Sequence, residues 1–374
     1  MAALEEVKAK QAPVLIMAGG TGGHIFPALA VADTIQSQDV PVIWLGTAKG
    51  LESKIIPKEG IDIEYIRIGG LRGKGLVHKL IAPFKIIDAI MQALKIMRRI
   101  NPRSVLGMGG YVTGPGGIAA WLMGKPLYIH EQNAVAGLTN RILAKISKKV
   151  FEAFPGSFMQ MPKLSCSGNP VRKEFYQLDD VEQRLAEREG RVNVLVLGGS
   201  LGAKVLNETV PQAINKIDPE LRPNIRHQAG EKTVDLAHQQ YEDAGVMAEV
   251  TPFIDDMAQA FEWADMIICR AGALTIAEIA VVGVPAILVP FPHAVDDHQT
   301  QNARYLSTAG AAVLIPQDML NADSLYREVS KLIQDKKLRI KMAKKAKELA
   351  KDKAAEMIAE QCLQLSENQG LEKE

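Results

Sequence analysis

Gly19-Gly20-Thr21-Gly22-Gly23-His24 concentrates backbone N–H groups, a hydroxyl and an imidazole within one short stretch. Glycines let backbone N–H groups approach a ligand without Cβ interference, and Thr21 and His24 add side-chain donors at the rim. The apolar run Pro13 to Ala18 before it reads as a buried strand, and Ala28 to Ala32 after it as a helix with Pro27 near the first turn. A helix N-terminus behind the glycines favours an anion, above all a phosphate. A plain tight turn would use the same glycines for backbone geometry alone. The stretch lacks the lysine of G-x-x-x-x-G-K-[ST] and the spacing of G-x-G-x-x-G, so it is neither of the two common phosphate loops.

A second glycine turn, Gly198-Gly199-Ser200-Leu201-Gly202, follows the strand-like run 191–197. It matches G-x-S-x-G, the nucleophile elbow of serine hydrolases, with Ser200 as nucleophile. That reading needs an acid and a histidine downstream, which Asp255 or Asp265 with His293 or His298 would have to supply. An elbow also normally follows several strands, whereas this turn follows the first strand of a new half. A second phosphate cradle, with Ser200 Oγ and nearby N–H groups as donors, is the preferred reading.

Cys269 to Glu278 is the densest region, a strand end, a turn at Arg270–Ala273 and a helix opening near Leu274. A carboxylate at Glu278 can accept two hydrogen bonds from a vicinal diol such as a ribose, with the attached diphosphate on the helix N-terminus. The bland alternative is dipole compensation, worth only about 0.3–1 kcal/mol. Downstream, His293, Asp296, Asp297 and His298 suggest either a metal site or, more commonly, a hydrogen-bonded helix cap, and no D-x-D is present. His130-Glu131-Gln132-Asn133 ends another strand, and Arg172 after Asn169-Pro170 sits where the halves meet, suited to clamping a phosphate.

Positioning these groups requires many short buried strands joined by helices. Strands are expected at 42–45, 63–66, 104–106, 126–129 and 149–151, with helices near 28–38, 77–99, 116–123 and 137–146. The alternation restarts after the turn-rich 165–170, with strands near 191–197, 224–228, 248–250, 265–269, 285–290 and 311–315. Beyond Ser330 the chain reads as one long helix-former ending in a polar tail. Such βα alternation gives an α/β class with two doubly wound parallel sheets, whose ligands lie beyond the strands' carboxyl ends. The expected division is 1–165, a linker at 166–191, and 192–374.

The 374 residues, 47% hydrophobic and only 5% aromatic, fit two such domains. No apolar run reaches the ~18 residues of a membrane span, and the acidic N-terminus is not a secretory signal. Cys166, Cys269 and Cys362 form no C-x-x-C, so neither a disulfide framework nor a zinc site is expected, and a reducing cytoplasm is the default. The net charge of +1 divides into +9 over 1–165 and −8 over the rest. Between Arg67 and Arg103 nine basic residues and one acid are interleaved with Leu76, Leu80, Ile81, Phe84, Ile86 and Ile87. This suits an anionic membrane surface, or equally an ordinary helix with one core face. Nucleic acid is disfavoured, because aromatics for stacking are nearly absent.

Together, Gly19 to His24, Gly107-Met108-Gly109-Gly110-Tyr111, His130 to Asn133, Gly168-Asn169-Pro170-Val171-Arg172, Gly198 to Ala203 and Arg270 to Glu278 resemble, in order and spacing, the MurG family. These are the N-acetylglucosaminyltransferases of peptidoglycan synthesis. The resemblance runs from about Val14 to Ala312. It implies a GT-B fold, two Rossmann-like domains with an interdomain cleft, and inverting transfer of GlcNAc from UDP-GlcNAc to the 4-hydroxyl of MurNAc in lipid I, giving lipid II. It further implies donor contacts by Thr21, Gly22, Gly23, Asn133, Arg172, Ser200, Ile254, Ala273, Leu274, Thr275, Ile276, Ala277, Glu278 and Gln299, the last in a stretch that varies within the family. The N-terminal domain would meet the lipid acceptor at the cytoplasmic face of the inner membrane, as a peripheral protein. No cofactor or metal is implied. His24 is then the candidate general base for the acceptor hydroxyl, or a residue that only hydrogen-bonds substrate. A related GT-B enzyme such as a UDP-GlcNAc 2-epimerase would act on the same donor without a lipid.

Overall fold

The computed structural model describes residues 12–69, 76–179, 181–199 and 202–364. Two compact units divide the chain: Met1–Arg172 with Lys353–Glu374, and Lys173–Asp352.

In the first unit the strands are β1 (Val14–Ala18), β2 (Val42–Gly46), β3 (Asp62–Tyr65), β4 (Ser104–Gly109), β5 (Leu127–Glu131), β6 (Lys149–Glu152) and β7 (Leu164–Cys166). They form one parallel sheet in the order β3-β2-β1-β4-β5-β6-β7. Its longer helices before residue 172 are α1 (Gly22–Gln36), α2 (Leu76–Ile100), α3 (Thr113–Leu122) and α4 (Leu138–Ile146). Alternation along each strand feeds two cores, as expected of a sheet covered on both faces. Val14, Ile16, Trp44, Leu106, Tyr128 and Phe151 pack with Ile25, Val31 and Ile35 of α1. Leu15, Met17, Leu45, Val105, Ile129 and Val150 pack with Ala93 and Met97 of α2, Ala119 of α3 and Leu143 of α4.

The second unit holds β8 (Asn193–Leu197), β9 (Asn224–Gln228), β10 (Glu249–Thr251), β11 (Met266–Cys269), β12 (Ala286–Leu288) and β13 (Ala312–Leu314). Their parallel order is β10-β9-β8-β11-β12-β13. The helices after β8 are α5 (Lys204–Asn215), α6 (Val234–Asp243), α7 (Met257–Trp263), α8 (Ala273–Val282), α9 (His298–Thr308), α10 (Ala322–Gln334) and α11 (Lys336–Glu348), followed by α12 (Ala354–Leu363), which lies in the first unit. Strand order reverses at β1/β4 in the first sheet and at β8/β11 in the second. Both glycine turns therefore open at topological switch points, where α/β sheets bind ligands.

Three elements differ from the sequence reading. The first helix begins at Gly22 rather than Ala28, so Pro27 lies inside it. His24 and Ile25 N–H both bond to Thr21 O, starting the helix at the glycines, while Pro27 offers no N–H to Gly23 O. Part of the turn-rich 165–170 is strand β7, paired with β6. The long helix beyond Ser330 is three helices. Asp335 (φ −110°, ψ 87°) breaks the first and caps the second by accepting from Leu338 N–H.

The division expected at 1–165, 166–191 and 192–374 also differs, because 166–172 and α12 group with the first unit and 173–191 with the second. Ile358, Ala359 and Cys362 of α12 are fully buried in the α1-side core. Ser104 Oγ donates to Cys362 O at 2.7 Å and Arg103 Nη2 to Leu363 O at 2.8 Å. Apolar burial holds this helix, and the two hydrogen bonds fix its position along the sheet.

Candidate active site

The turn after β1 is built around a carboxylate that the sequence reading did not single out. Glu52, only 1% exposed, accepts from Gly20 N–H at 3.0 Å, Thr47 N–H at 2.9 Å and Thr47 Oγ1 at 2.8 Å. Gly20 itself adopts φ +91°, a left-handed conformation natural only to glycine. A Cβ on Gly19 would stand 2.7 Å from Glu52 Oε1, so Gly19 makes room for this anchor. Thr21 is then exposed at the N-cap of α1, and Gly22, Gly23 and His24 form its first turn.

His24 looks toward the end of β5. Its Nδ1 lies 3.0 Å from Gln132 Oε1. Gln132 Nε2 is 2.7 Å from Met108 O and 3.1 Å from His130 Nδ1, and His130 Nε2 is 2.9 Å from Gly168 O. Burial pushes His130 down to about 4, only partly opposed by its bond to Gly168 and by Glu131, so it is neutral at physiological pH. Asn169 Nδ2 donates to Gln132 O at 3.0 Å. Gly109 and Gly110, both left-handed, pass close by: a Cβ would come within 2.5 Å of His24 Nδ1 and of Gly19 O respectively. The glycines of the motif after β4 thus pack the His24 turn. Four separate motifs are thus linked through one chain of contacts that ends at this imidazole.

Asn133 is half-buried and held by its neighbour. Glu131 Oε1 accepts from Asn133 N–H at 3.0 Å and Nδ2 at 3.3 Å, while Oε2 accepts from Gly137 N–H and from Asn140 Nδ2. Arg172 places its guanidinium 5.2 Å from the Phe26 ring centroid on α1. A Cβ on Gly22 would lie 2.9 Å from that ring. The structure therefore brings Thr21, Gly22, Gly23, His24, Asn133 and Arg172 to one end of the first sheet.

In the second unit the remaining residues also fall at carboxyl ends of strands. Ile254 follows β10 and is half-buried. Ala273, Leu274, Thr275, Ile276, Ala277 and Glu278 are the first two turns of α8, with Gly272 at its N-cap. Glu278 is 6% exposed and lies beyond the first turn, which contains no acid, so first-turn dipole compensation does not describe it. Burial, with Glu278 as a secondary influence, pushes the Cys269 thiol far up. Arg270 donates to Val289 O, Pro290 O and Gln317 Oε1 and lies 5.4 Å from the Phe291 ring centroid. Gln299 Oε1 accepts from Phe291 N–H at 2.9 Å, which joins it to the same platform. Of the second glycine turn, Gly198, Gly199 and Gly202 are described, with Gly202 packed on Thr233 and Ala229, whereas Ser200 lies outside the described residues.

Two alternatives fare differently. Among the described residues no group of three or more His, Cys, Asp or Glu side chains is placed to hold a metal. Asp297 sits at the N-cap of α9 in a left-handed conformation and accepts from Thr300 Oγ1, without the backbone bond of a usual cap. For a hydrolase triad, Asp265 is at the amino end of β11, accepting from Asn193 N–H at 2.8 Å and paired with Arg188 at 3.0 Å. It is committed to holding strands together.

Residues 14–152 match the glycosyltransferase family 28 N-terminal domain and residues 193–360 the glycosyltransferase family 28 C-terminal domain. A Nitrosococcus oceani protein named UDP-N-acetylglucosamine--N-acetylmuramyl-(pentapeptide) pyrophosphoryl-undecaprenol N-acetylglucosamine transferase is 53% identical over 353 residues, covering 94% of this chain and 98% of its own. The protein of the same name from Marinobacter nauticus is 53% identical over 350 residues, covering 94% and 96%. The crystal structure of Acinetobacter baumannii MurG superposes with a TM-score of 0.80 at 43% identity, covering 93% and 98%. The chain belongs to the MurG family. As a MurG-family chain it is a glycosyltransferase, and its two parallel-sheet units are those of the GT-B fold. A UDP-GlcNAc 2-epimerase from Neisseria meningitidis matches at TM-score 0.66 and 13% identity, a likeness of fold alone.

One further surface of this MurG-family chain bears on the site. The C-terminal half of α2 has a core face at Ala89, Ala93 and Met97. Phe84 (73% exposed), Ile87 and Met91 form a solvent-facing stripe instead, with Lys85, Lys95 and Arg98 exposed nearby. No described helix is long and apolar enough to cross a membrane.

Proposed function

We propose that this protein transfers GlcNAc from UDP-GlcNAc to the 4-hydroxyl of MurNAc in lipid I, with inversion, giving lipid II. The observation that carries this reading is 53% identity over nearly the whole chain to relatives named for that transfer. The geometry around His24 supports it.

The donor is assigned to the second unit, with the diphosphate at the N-terminus of α8, the ribose diol on Glu278, and Ile254 and Gln299 beside the nucleotide. Thr21, Gly22, Gly23, Asn133 and Arg172 are assigned further contacts to the sugar nucleotide. The acceptor oxygen bonds to the anomeric carbon as its proton passes to His24. The bond from that carbon to the phosphate oxygen breaks, and its electron pair leaves on UDP. Such a transfer passes through an oxocarbenium-like state, so the growing charge is met by helix N–H groups, Ser200 and Arg172.

The lipid substrate requires contact with a bilayer. The exposed stripe Phe84, Ile87 and Met91, flanked by Lys85, Lys95 and Arg98, suits insertion at an anionic interface. We assign the protein a peripheral position on the cytoplasmic face of the inner membrane.

UDP release from a panel of UDP-sugars, with and without a lipid I analogue, tests the reading. Release from UDP-GlcNAc only with acceptor present is expected. Turnover of UDP-GlcNAc without acceptor would favour an epimerase-like reaction instead.

A further inference from the structure

We propose that Gln132 is a positioning residue that fixes the tautomer of His24, keeping the proton on Nδ1 and the lone pair on Nε2. The inference rests on the reading of His24 as the base and adds how the base is made ready.

The assignment follows from counting donors and acceptors along the chain of contacts. His130 is neutral and fully buried, so its ring carries one N–H. Its Nε2 faces the carbonyl of Gly168, which can only accept, and the proton must be there. His130 Nδ1 is then a bare acceptor. Gln132 presents one end of its amide to that acceptor and to Met108 O. Both partners require a donor, so this end is the NH₂, and the flipped amide would set oxygen against two lone pairs. The other end is the oxygen, facing His24 Nδ1. An oxygen without hydrogen can only accept, so His24 Nδ1 carries the proton. In the neutral ring the lone pair is on Nε2.

Nothing else described at this edge competes for the role. Both oxygens of Glu131 are occupied by Asn133, Gly137 and Asn140, and no side chain fits at Gly109, where a Cβ would meet His24 Nδ1 at 2.5 Å. Free histidine favours the opposite tautomer, with the proton on Nε2, which would block proton uptake at that atom. Gln132 reverses this preference without adding a buried charge. The same bond survives when His24 gains a proton on Nε2, because Nδ1 remains a donor in both states.

The test uses the full chain labelled with ¹⁵N-histidine, the His24 signals being those that vanish in His24→Ala. At a pH where His24 is neutral, Nδ1 is expected to give the protonated, pyrrole-type shift and Nε2 the unprotonated, pyridine-type shift. In Gln132→Met the population is expected to move toward Nε2–H. There kcat should fall on the order of 10²-fold, with KM for UDP-GlcNAc within about 2-fold of wild type. Wild-type His24 protonated on Nε2 overturns the proposal without any variant, even if Gln132→Met does not fold. An unchanged tautomer and unchanged kcat in Gln132→Met overturn it too. A near-normal kcat in His24→Ala with an Nδ1–H wild-type spectrum sinks the base reading and leaves the tautomer assignment standing.

Discussion

The guanidinium of Arg172 lies 5.2 Å from the centroid of the Phe26 ring, so α1 carries the seat of the cation that the sequence marked for phosphate. A charged hydrogen bond to phosphate is worth about 1.5–3 kcal/mol. Arg172→Ala is therefore expected to weaken UDP-GlcNAc binding by that order. Phe26→Leu, which keeps the charge but removes the aromatic seat, should weaken it less. Titration calorimetry reads both, and unchanged binding in Arg172→Ala would remove this residue from the site.

His24→Ala is expected to lower kcat by about 10²–10⁴ with donor affinity little altered, the range for losing a general base. Steady-state kinetics with a lipid I analogue measure the first quantity and calorimetry the second. A loss confined to donor affinity would make His24 a binder.

Glu52→Ala removes the acceptor shared by Gly20 N–H, Thr47 N–H and Thr47 Oγ1. These donors are part-buried, so losing their partner costs less than the ~1–3 kcal/mol of a fully buried orphan. Thermal unfolding should show a Tm lowered by several degrees. Because the anchored turn carries His24, activity at a permissive temperature should fall as well. Gly50→Ala gives an independent check, since its Cβ would collide with the same carboxylate.

Two buried histidines make the fold acid-sensitive. Burial holds His130 at about 4 and His227 at about 3, against about 6.5 in the unfolded chain. Below pH 6.5 the unfolded state takes up protons that the native state refuses. Stability is therefore full above that pH, declines as the pH drops toward 4, and flattens below the folded values. The His130 contribution alone is on the order of 3 kcal/mol. Urea midpoints between pH 7.5 and 4.5 should fall accordingly, and less steeply in His227→Phe. A pH-independent midpoint would contradict the buried neutral assignment.

Ile358→Ala tests the helix that returns to the first unit. Ile358 is fully buried beside α1, and truncation of such a side chain costs about 2–5 kcal/mol. Hydrogen exchange should show lost protection in α1 and β1. Unchanged protection there would separate α12 from that core.

Much of this was legible in the sequence because parallel strands buried on both faces read as apolar runs, and glycine turns mark their ends. β1, β9 and the turn after β11 could be located that way. Glu52 could not, since Leu51-Glu52-Ser53-Lys54 has the composition of an ordinary surface helix. Only the folded backbone points Gly20 and Thr47 at it. Gln132 was visible as part of a polar quartet, but its partners His24, Met108 and Asn169 come from three other segments. α12 looked like the end of a charged helical tail, because Ile358, Ala359 and Cys362 reveal their face only against α1.

The return of α12 makes the second unit an insertion within the first, entered after Arg172 and left before Lys353. During synthesis the first sheet emerges early, yet its α1-side core stays open until some 180 further residues have been made. The inserted unit, continuous in sequence, can finish folding in that interval. The α1 helix therefore waits with part of its apolar face uncovered. Completion of the fold is timed by translation of the C-terminal helix, and a ribosome stalled before Lys353 would expose that face to chaperones and proteases.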